Sequence, residues 1–552
     1  MVILDTSKLA ISIEVRDHWH HQHPEAIQII DVTARHPQQG QLGAIASLTA
    51  WRLVRAHIRD DFLHILDADH QELANVFDKY GQVRPHIIEP VYYNGSGCWG
   101  KELNKGSLFY VFGVSVEKRF RGQGIGSWFL DKFLHSDQVQ QLDVVTCWPA
   151  PMNRHGALWE ATRDRQLAFF RKNHFRRIGR TSLFGYSSNE VHPSRRIAVA
   201  QDVEQLGADF KAPDNPKLEF PLHTAIYLDT TSQVIDTIQQ HYNRDPSSIH
   251  VSDWVGATPL HIAAAKPNVF ALRKLLSWDM SADLVNTKNA EGETPLGTLR
   301  AHMNAARMVA DANLSLDWQG YPEDALEAEF LLKRSMGIPV PSTFQQYIGN
   351  NRYGCTCGHC GGGWFSPRMR FQLTSACDHH WARFMGLIVE ILDKEVFESK
   401  QVTELEDFLD PCCRYIPPVF KSSFFKTFYE GYCSVFCLVW QSLTAPDAVL
   451  SWDSVRHQSD FPGAPNRMGT NFYFRKGGLV AYVFDAITDR AYEVSALRNG
   501  EHDEKHKDNV RWTALPTCAN DLDFRLVRSM LGLSRGAKWG PYTRSDFEAL
   551  GY

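Results

Sequence analysis

Long apolar runs are missing from this chain. In 552 residues nothing approaches the roughly 18 consecutive apolar positions that a membrane-spanning helix needs. The nearest candidate, "CSVFCLVWQSL" over Cys433–Leu443, is short and reads as a buried helix. Charge of one sign is also missing. Lys and Arg number 58 against 63 Asp and Glu, for a net charge of −5. That balance gives no bulk signal for nucleic acid or a membrane surface and leaves only local patches. The N-terminus "MVILDTSKLAISIEV" lacks a basic segment followed by a continuous apolar core, so no secretory signal is expected. Cysteine is sparse and irregular: the eleven residues are an odd number with no regular spacing. Free thiols in a reducing compartment are therefore expected, and with them an intracellular protein, cytoplasmic or nuclear. No Gly-Lys-Ser/Thr ending marks a Walker A loop, and no G-x-G-x-x-G marks a dinucleotide site.

What is present divides by pattern. The length suggests three or four domains, and a hydrophobic content of 43% with 22% charge is ordinary for a globular protein. "AIQIIDVTARHPQQGQLGAIASLTAW", from Ala26, carries two apolar runs around "HPQQGQLG" and reads as a β-hairpin. Residues 59–80 show helical spacing of Phe62, Ile65, Leu73, Val76 and Phe77. "SLFYVFGVSV" (107–116) and "LDVVTCW" (142–148) read as buried strands. "SWFLDKFLHS" and "RDRQLAFFRKNHFRRIG" read as helices, and "TSLFGYS" as a later strand. The expectation is a multidomain chain: an α+β domain over 1–188, a polar, Pro-punctuated linker over 189–216, an all-α repeat array over 217–335, and a mixed, mostly α region over 336–552. In the last of these, "NFYFRKGGLVAYVFDAI" reads as β-like.

Between the first strand and its helix stands Arg121-Gly122-Gln123-Gly124-Ile125-Gly126. A helix start leaves backbone N–H groups without partners and carries partial positive charge. Glycines let the backbone wrap closely and point those groups at an anion, for which a pyrophosphate is the natural occupant. The plain alternative is a glycine turn with no ligand. The loop resembles the acyl-CoA loop of the GNAT superfamily of N-acetyltransferases, with its pattern Arg/Gln-x-x-Gly-x-Gly/Ala. The preceding "GVSVEKRFRG" is similar to that family's strand and turn. The resemblance covers about residues 26–186, a third of the chain.

That resemblance implies roles. Backbone groups of Gly113–Val116, Val114 and Val116 among them, would bond the pantetheine arm. A splay between strands 107–116 and 142–148 would open an acetyl-CoA slot. The N–H groups of Arg121, Gly122, Gln123, Gly124, Ile125 and Gly126 would cradle the pyrophosphate. Acetyl transfer to an amine acceptor needs a base for the ammonium and an acid for the leaving thiolate. Glu117 is the base by position, with His155 and Asp31 as alternatives; read alone, Glu117 is a solvated turn carboxylate. In "FFRKNHF" Phe170 stands where the family has Tyr, and Phe cannot donate a proton. Tyr186, Cys147 or water must substitute, or the domain is an inactive scaffold.

Pro221, Pro259 and Pro295, 38 and 36 residues apart, mark a repeat: "FPLHTAIYL", "TPLHIAAAK", "TPLGTLRAH". Thr258 and His261 suit side-chain hydrogen bonds at a helix start, Pro259 suits the first turn, and Ala263 and Ala264 allow close helix approach. "TPLHIAAA" resembles the ankyrin signature, which implies a protein partner, the plain alternative being a structural spacer. "YGCTCGHCGGGWFSPRMRFQLTSACDHHW" holds Cys355, Cys357, His359, Cys360, Cys377, His379 and His380. Four thiolate or imidazole ligands among them, Cys355, Cys357, Cys360 and Cys377 foremost, could form a zinc site, the plain alternative being buried or surface thiols, since C-x-C-x-x-C followed by sixteen residues is no standard finger. It resembles a stretch that follows ankyrin repeats in poorly characterised fungal proteins, which implies no activity.

Overall fold

The computed structural model describes residues 4–18, 26–36, 43–55, 62–66, 71–151, 157–204, 213–313, 318–391, 414–423, 426–445, 449–459, 466–494, 508–534, 537–538 and 540–542. The expected hairpin is present as β2 (Ile27–Arg35) and β3 (Ala46–Leu53), paired antiparallel. Preceding it is β1 (Ala10–Asp17), which the sequence reading passed over. It is an edge strand with no buried residue and with Glu14, Arg16 and Asp17 along it, so it gives no apolar run to find. With β4 (Leu108–Val116), β5 (Val144–Cys147), β6 (Arg176–Arg177) and β7 (Phe184–Ser187) it completes a seven-stranded sheet, β1-β2-β3-β4-β5-β7-β6. The β4–β5 pair is parallel and every other pair antiparallel.

A parallel pair needs a crossover, and α1 (Ile125–Leu134) supplies it. Its Phe129, Leu130, Phe133 and Leu134 are buried with Phe109, Val111 and Val145, as their spacing predicted. Leu167, Phe169 and Phe170 of α2 (Ala157–Lys172) join the same core. The opposite face takes the alternate residues Leu108 and Tyr110, packed with Phe62, Leu73 and Phe77. Among the described residues of 59–80, where helical spacing was expected, helix is confined to two short turns, Phe62–Ile65 and Gln71–Ala74. Asp78 stops helix here by accepting the N–H groups of Tyr80 and Gln82, closing a loop that bridges Phe77 to Val83.

The first half of the expected linker is fastened to this domain. Asp202 accepts from the Arg177 N–H at 3.0 Å and from Arg171 Nε at 2.8 Å. Arg176 donates to the Ile197 carbonyl.

The array consists of helix pairs: α3 (Pro221–Leu228) with α4 (Val234–Arg244), α5 (Pro259–Ala265) with α6 (Val269–Leu275), and α7 (Pro295–Ala312) with α8 (Glu323–Ser335). His223 Nε2 meets the Ala257 carbonyl at 2.9 Å, and His261 Nε2 meets the Glu293 carbonyl at 3.0 Å. The histidines of the first two copies thus reach the loop before the next copy. Thr258 Oγ1 lies 2.9 Å from His261 Nδ1. The third copy departs from the second, since α7 has 18 residues against 7 in α5. Tyr347 of α9 (Phe344–Asn351) is buried in the array's core, which therefore runs past residue 335.

Beyond lie α10 (Pro367–Ile391), α11 (Lys426–Thr444), α12 (Arg467–Arg475), α13 (Val480–Val494) and α14 (Phe524–Met530). The stretch expected to be β-like is the end of α12, a glycine turn and the start of α13. Val480, Ala481, Val483, Phe484, Ala486 and Ile487 are all buried, and a helix covered nearly all round shows no 3.6-residue period to distinguish it from a strand. Among the described residues no helix is long and apolar enough to cross a membrane.

The three bodies meet at a buried charge group. Lys79 Nζ lies 3.4 Å from Asp311 and 3.1 Å from Asp523, and an Arg307 terminal nitrogen lies 2.8 Å from Asp523.

Candidate functional site

Strand β4 pairs with β3 along its whole length, with an irregularity that leaves Phe112 as an extra residue between Val111 and Gly113. On its other side it pairs with β5 only from Leu108–Val144 to Val111–Cys147. The chain then leaves β5 as Trp148-Pro149-Ala150-Pro151, and prolines have no N–H to continue a ladder. The parallel strands therefore part, and no strand covers the free edge of Phe112–Val116 among the described residues. Burial changes at the same place: Leu108–Val111 are buried, whereas Gly113 and Ser115 are exposed.

This edge runs into the glycine turn. Gly122 and Gly124 take φ of +79° and +82°, and a Cβ at either would meet nothing within 4 Å. Glycine is needed there for the left-handed backbone, not for want of room. Gly124 is the N-cap of α1 and makes no side-chain capping bond, so the first-turn N–H groups of α1 have no cap from it. Gly126 serves packing instead: a Cβ there would sit 3.2 Å from the Phe169 ring of α2. Arg121 is turned back, its Nε donating to the Val116 carbonyl at 2.8 Å, so it ties the turn to the strand end. Gln123 Oε1 accepts the Leu4 N–H at 3.0 Å. Val114 and Val116 pack their side chains beside the core around α1.

The catalytic pair expected from sequence is not brought together. Glu117 is partly exposed, its side chain 2.9 Å from Arg119. Tyr186 is 2% exposed, with Phe175 5.4 Å away on one side and the Arg195 guanidinium 4.7 Å above its ring. It pairs with Val145, whose β4 partner Phe109 lies seven residues before Val116, about 23 Å along the strand. Tyr186 instead lines a cleft with Asp131, His135 and His174 at the far end of α1. Asp31 is held by Arg16 and Thr49 on β2. His155 lies outside the described residues. Phe170 is buried in edge contact with Phe169 and Phe175. Cys147, at the point where the strands part, is fully buried, and burial pushes its thiol well above the ordinary range.

A buried tyrosine–carboxylate pair that sequence reasoning missed lies beside that point. Tyr110, one residue before the last β4–β5 pair, donates its phenol to Glu72, and both are buried. Burial, then the Glu72 charge, pushes the phenol far above its ordinary value, so it stays protonated. Nothing in the sequence marks this pair: Tyr110 sits inside an apolar run, and Glu72 is on a single turn.

The cysteine cluster is real but differently composed. Sγ of Cys355, Cys357, Cys360 and Cys518 all lie within 4.8 Å of one another. Cys377 does not belong to it: it is fully buried on α10, its Sγ 3.7 Å from the Phe436 carbonyl, inside the apolar core. Contacts with Cys355 and Cys360 draw the Cys518 thiol below its ordinary range, and the contacts of Cys360 with Cys355 and Cys518 push Cys360 above it. No family model matches the chain, and no curated protein and no solved structure matches it.

Proposed function

We propose that the chain is an acetyl-CoA-dependent N-acetyltransferase whose repeat array recruits a protein partner or substrate. The observation that carries this reading is the uncovered backbone edge of Phe112–Val116 running directly into the bare N-terminus of α1. An extended chain of amides ending in a diphosphate matches both halves: strand-like hydrogen bonds along the edge, then anion binding at the helix start. The open space at Gly122 and Gly124 leaves room for the diphosphate. This is the arrangement that the GNAT resemblance implies. Acetyl-CoA supplies the activated acetyl group as a thioester. The chain must orient it, remove a proton from the acceptor ammonium and return one to the departing sulfur. Glu72 is the group we assign to that proton traffic, held in place by the Tyr110 phenol that donates to it beside the point where the strands part. Ankyrin-like stacking in the array supports a protein-binding role, and Trp254 and Phe270 are large apolar side chains left exposed on it.

Acetyl-CoA should raise the thermal midpoint of the purified chain, and Gly124→Glu should remove that shift by placing a carboxylate in the cradle. With binding established, Glu72→Gln should lower kcat while leaving acetyl-CoA affinity unchanged. The second reading, an inactive acyl-CoA-binding scaffold, is favoured by the burial of Phe170 where the family has a phenol. It predicts binding with no turnover on any amine.

A further inference from the structure

We propose that Cys355, Cys357, Cys360 and Cys518 hold a structural Zn²⁺ ion that pins residues 518–523 across the junction of the three bodies. The proposal is independent of the acyl-CoA reading. Its first support is metric. Tetrahedral zinc with Zn–S near 2.3 Å sets sulfur–sulfur edges of about 3.8 Å. The neighbouring sulfurs stand at 3.7 Å (Cys355–Cys357), 3.8 Å (Cys357–Cys360) and 3.5 Å (Cys360–Cys518). A disulfide would need a separation of about 2.05 Å and would satisfy only two of the four.

The second support is chemical. Four thiols form a closed, soft donor set with no place for a reacting water, which selects zinc over calcium, magnesium or manganese and a structural role over a catalytic one. The surroundings supply N–H donors to sulfur, as thiolates bound to a metal require: the His359 N–H points at Cys357 Sγ at 3.4 Å, and Asn520 Nδ2 lies 4.0 Å from Cys360 Sγ. None of the four is in an apolar core, where unligated cysteines such as Cys377 and Cys433 are found.

The third support is what the fourth ligand carries with it. Cys518 comes from 158 residues beyond Cys360. Immediately after it, the Ala519 N–H binds Thr356 Oγ1 at 3.0 Å and Asn520 Oδ1 accepts from Arg307 at 3.0 Å. Asp523 then binds Arg307 of the array and Lys79 of the sheet domain. One ion at the start of this stretch fixes the segment on which the contact among all three bodies depends.

The test uses the full chain, purified without chelator. Mass-spectrometric metal analysis should find about one zinc per chain in the wild type and in Cys377→Ser, and almost none in Cys518→Ser. No zinc in the wild type, iron in its place, or undiminished zinc in Cys518→Ser would overturn the site. Should Cys518→Ser fail to fold, titrating the folded wild type with an organomercurial replaces it. All the zinc should be released as about four thiols per chain react, and release on the reaction of about two would overturn the ligand set. For the pinning, hydrogen exchange across 518–526 should accelerate at least ten-fold when chelator strips the ion. Unchanged exchange would overturn that role.

Discussion

Changing Asp523 to Asn removes one charge from the group that joins the three bodies. Lys79, Asp311, Arg307 and Asp523 have side chains only 6, 10, 12 and 2% exposed, and their two positive and two negative charges cancel. Burial by itself would lower the Arg307 pKa, and the charges of Asp523 and Asp311 more than reverse this, holding the guanidinium above its ordinary range. With Asn at 523 the group is left with one uncompensated positive charge. Contacts of 3.1 Å to Lys79 and 2.8 Å to Arg307 are lost as ion pairs. At an effective dielectric near 20, each such contact corresponds to about 5–6 kcal/mol of Coulomb energy. Desolvation opposes most of that gain, and breaking a buried pair from one side costs about 3–5 kcal/mol. Asn is the right probe because Asp523 Oδ1 also accepts the Leu526 N–H at the start of α14, and an Asn carbonyl can take over that bond. The assay is denaturant unfolding followed by tryptophan fluorescence, run as a cycle with Lys79→Met. The double variant restores neutrality, so its loss should fall short of the sum of the single losses by about 1–3 kcal/mol. A single-variant loss below about 1 kcal/mol, or strict additivity, would refute the idea that this group holds the bodies together.

Other outcomes follow from the same geometry. Gly124→Ala should keep the fold but weaken acetyl-CoA binding, since a side chain at φ +82° strains the cradle by about 1–2 kcal/mol; calorimetry against wild type checks this. His261→Ala should lower stability by about 1–3 kcal/mol, because the Thr258 N–H contact at its own helix start and the Glu293 carbonyl contact to the next copy both go with the ring; a thermal melt reads it. Burial, then the nearby Glu291 charge, raises the Glu293 carboxyl from 4.5 to about 7. A raised acid favours folding while protonated, and that contribution fades as pH rises from 4.5 through 7. Glu293→Gln, which is permanently neutral, should therefore raise the melting temperature at pH 8 and leave it nearly unchanged at pH 4.5. Equal shifts at both values would contradict the assignment.

Local features were legible where spacing or side-chain chemistry carries the signal. The hairpin, α1, the glycine turn and the Thr258–His261 contact all follow from short stretches of sequence. Features that depend on distant residues were not. Cys518 is far from Cys360, and only the fold brings it there, so sequence proximity pointed to Cys377 instead. Tyr110 and Glu72 meet across a sheet face. Tyr186 has suitable chemistry, but the antiparallel return of β7 carries it away from the glycine turn. The α12–α13 stretch misled because total burial removes the polar positions that reveal a period. The early linker looked free because its attachments through Asp202, an ion pair to Arg171 and a bond from the Arg177 N–H, are polar contacts rather than apolar pattern.

Isothermal calorimetry with acetyl-CoA, on wild type and Gly124→Glu side by side, decides whether the glycine turn is an acyl-CoA cradle. Saturable binding at one site per wild-type chain is expected, and none in the variant with its circular dichroism unchanged. No binding by the wild type at millimolar acetyl-CoA, or equal binding by both, would contradict it.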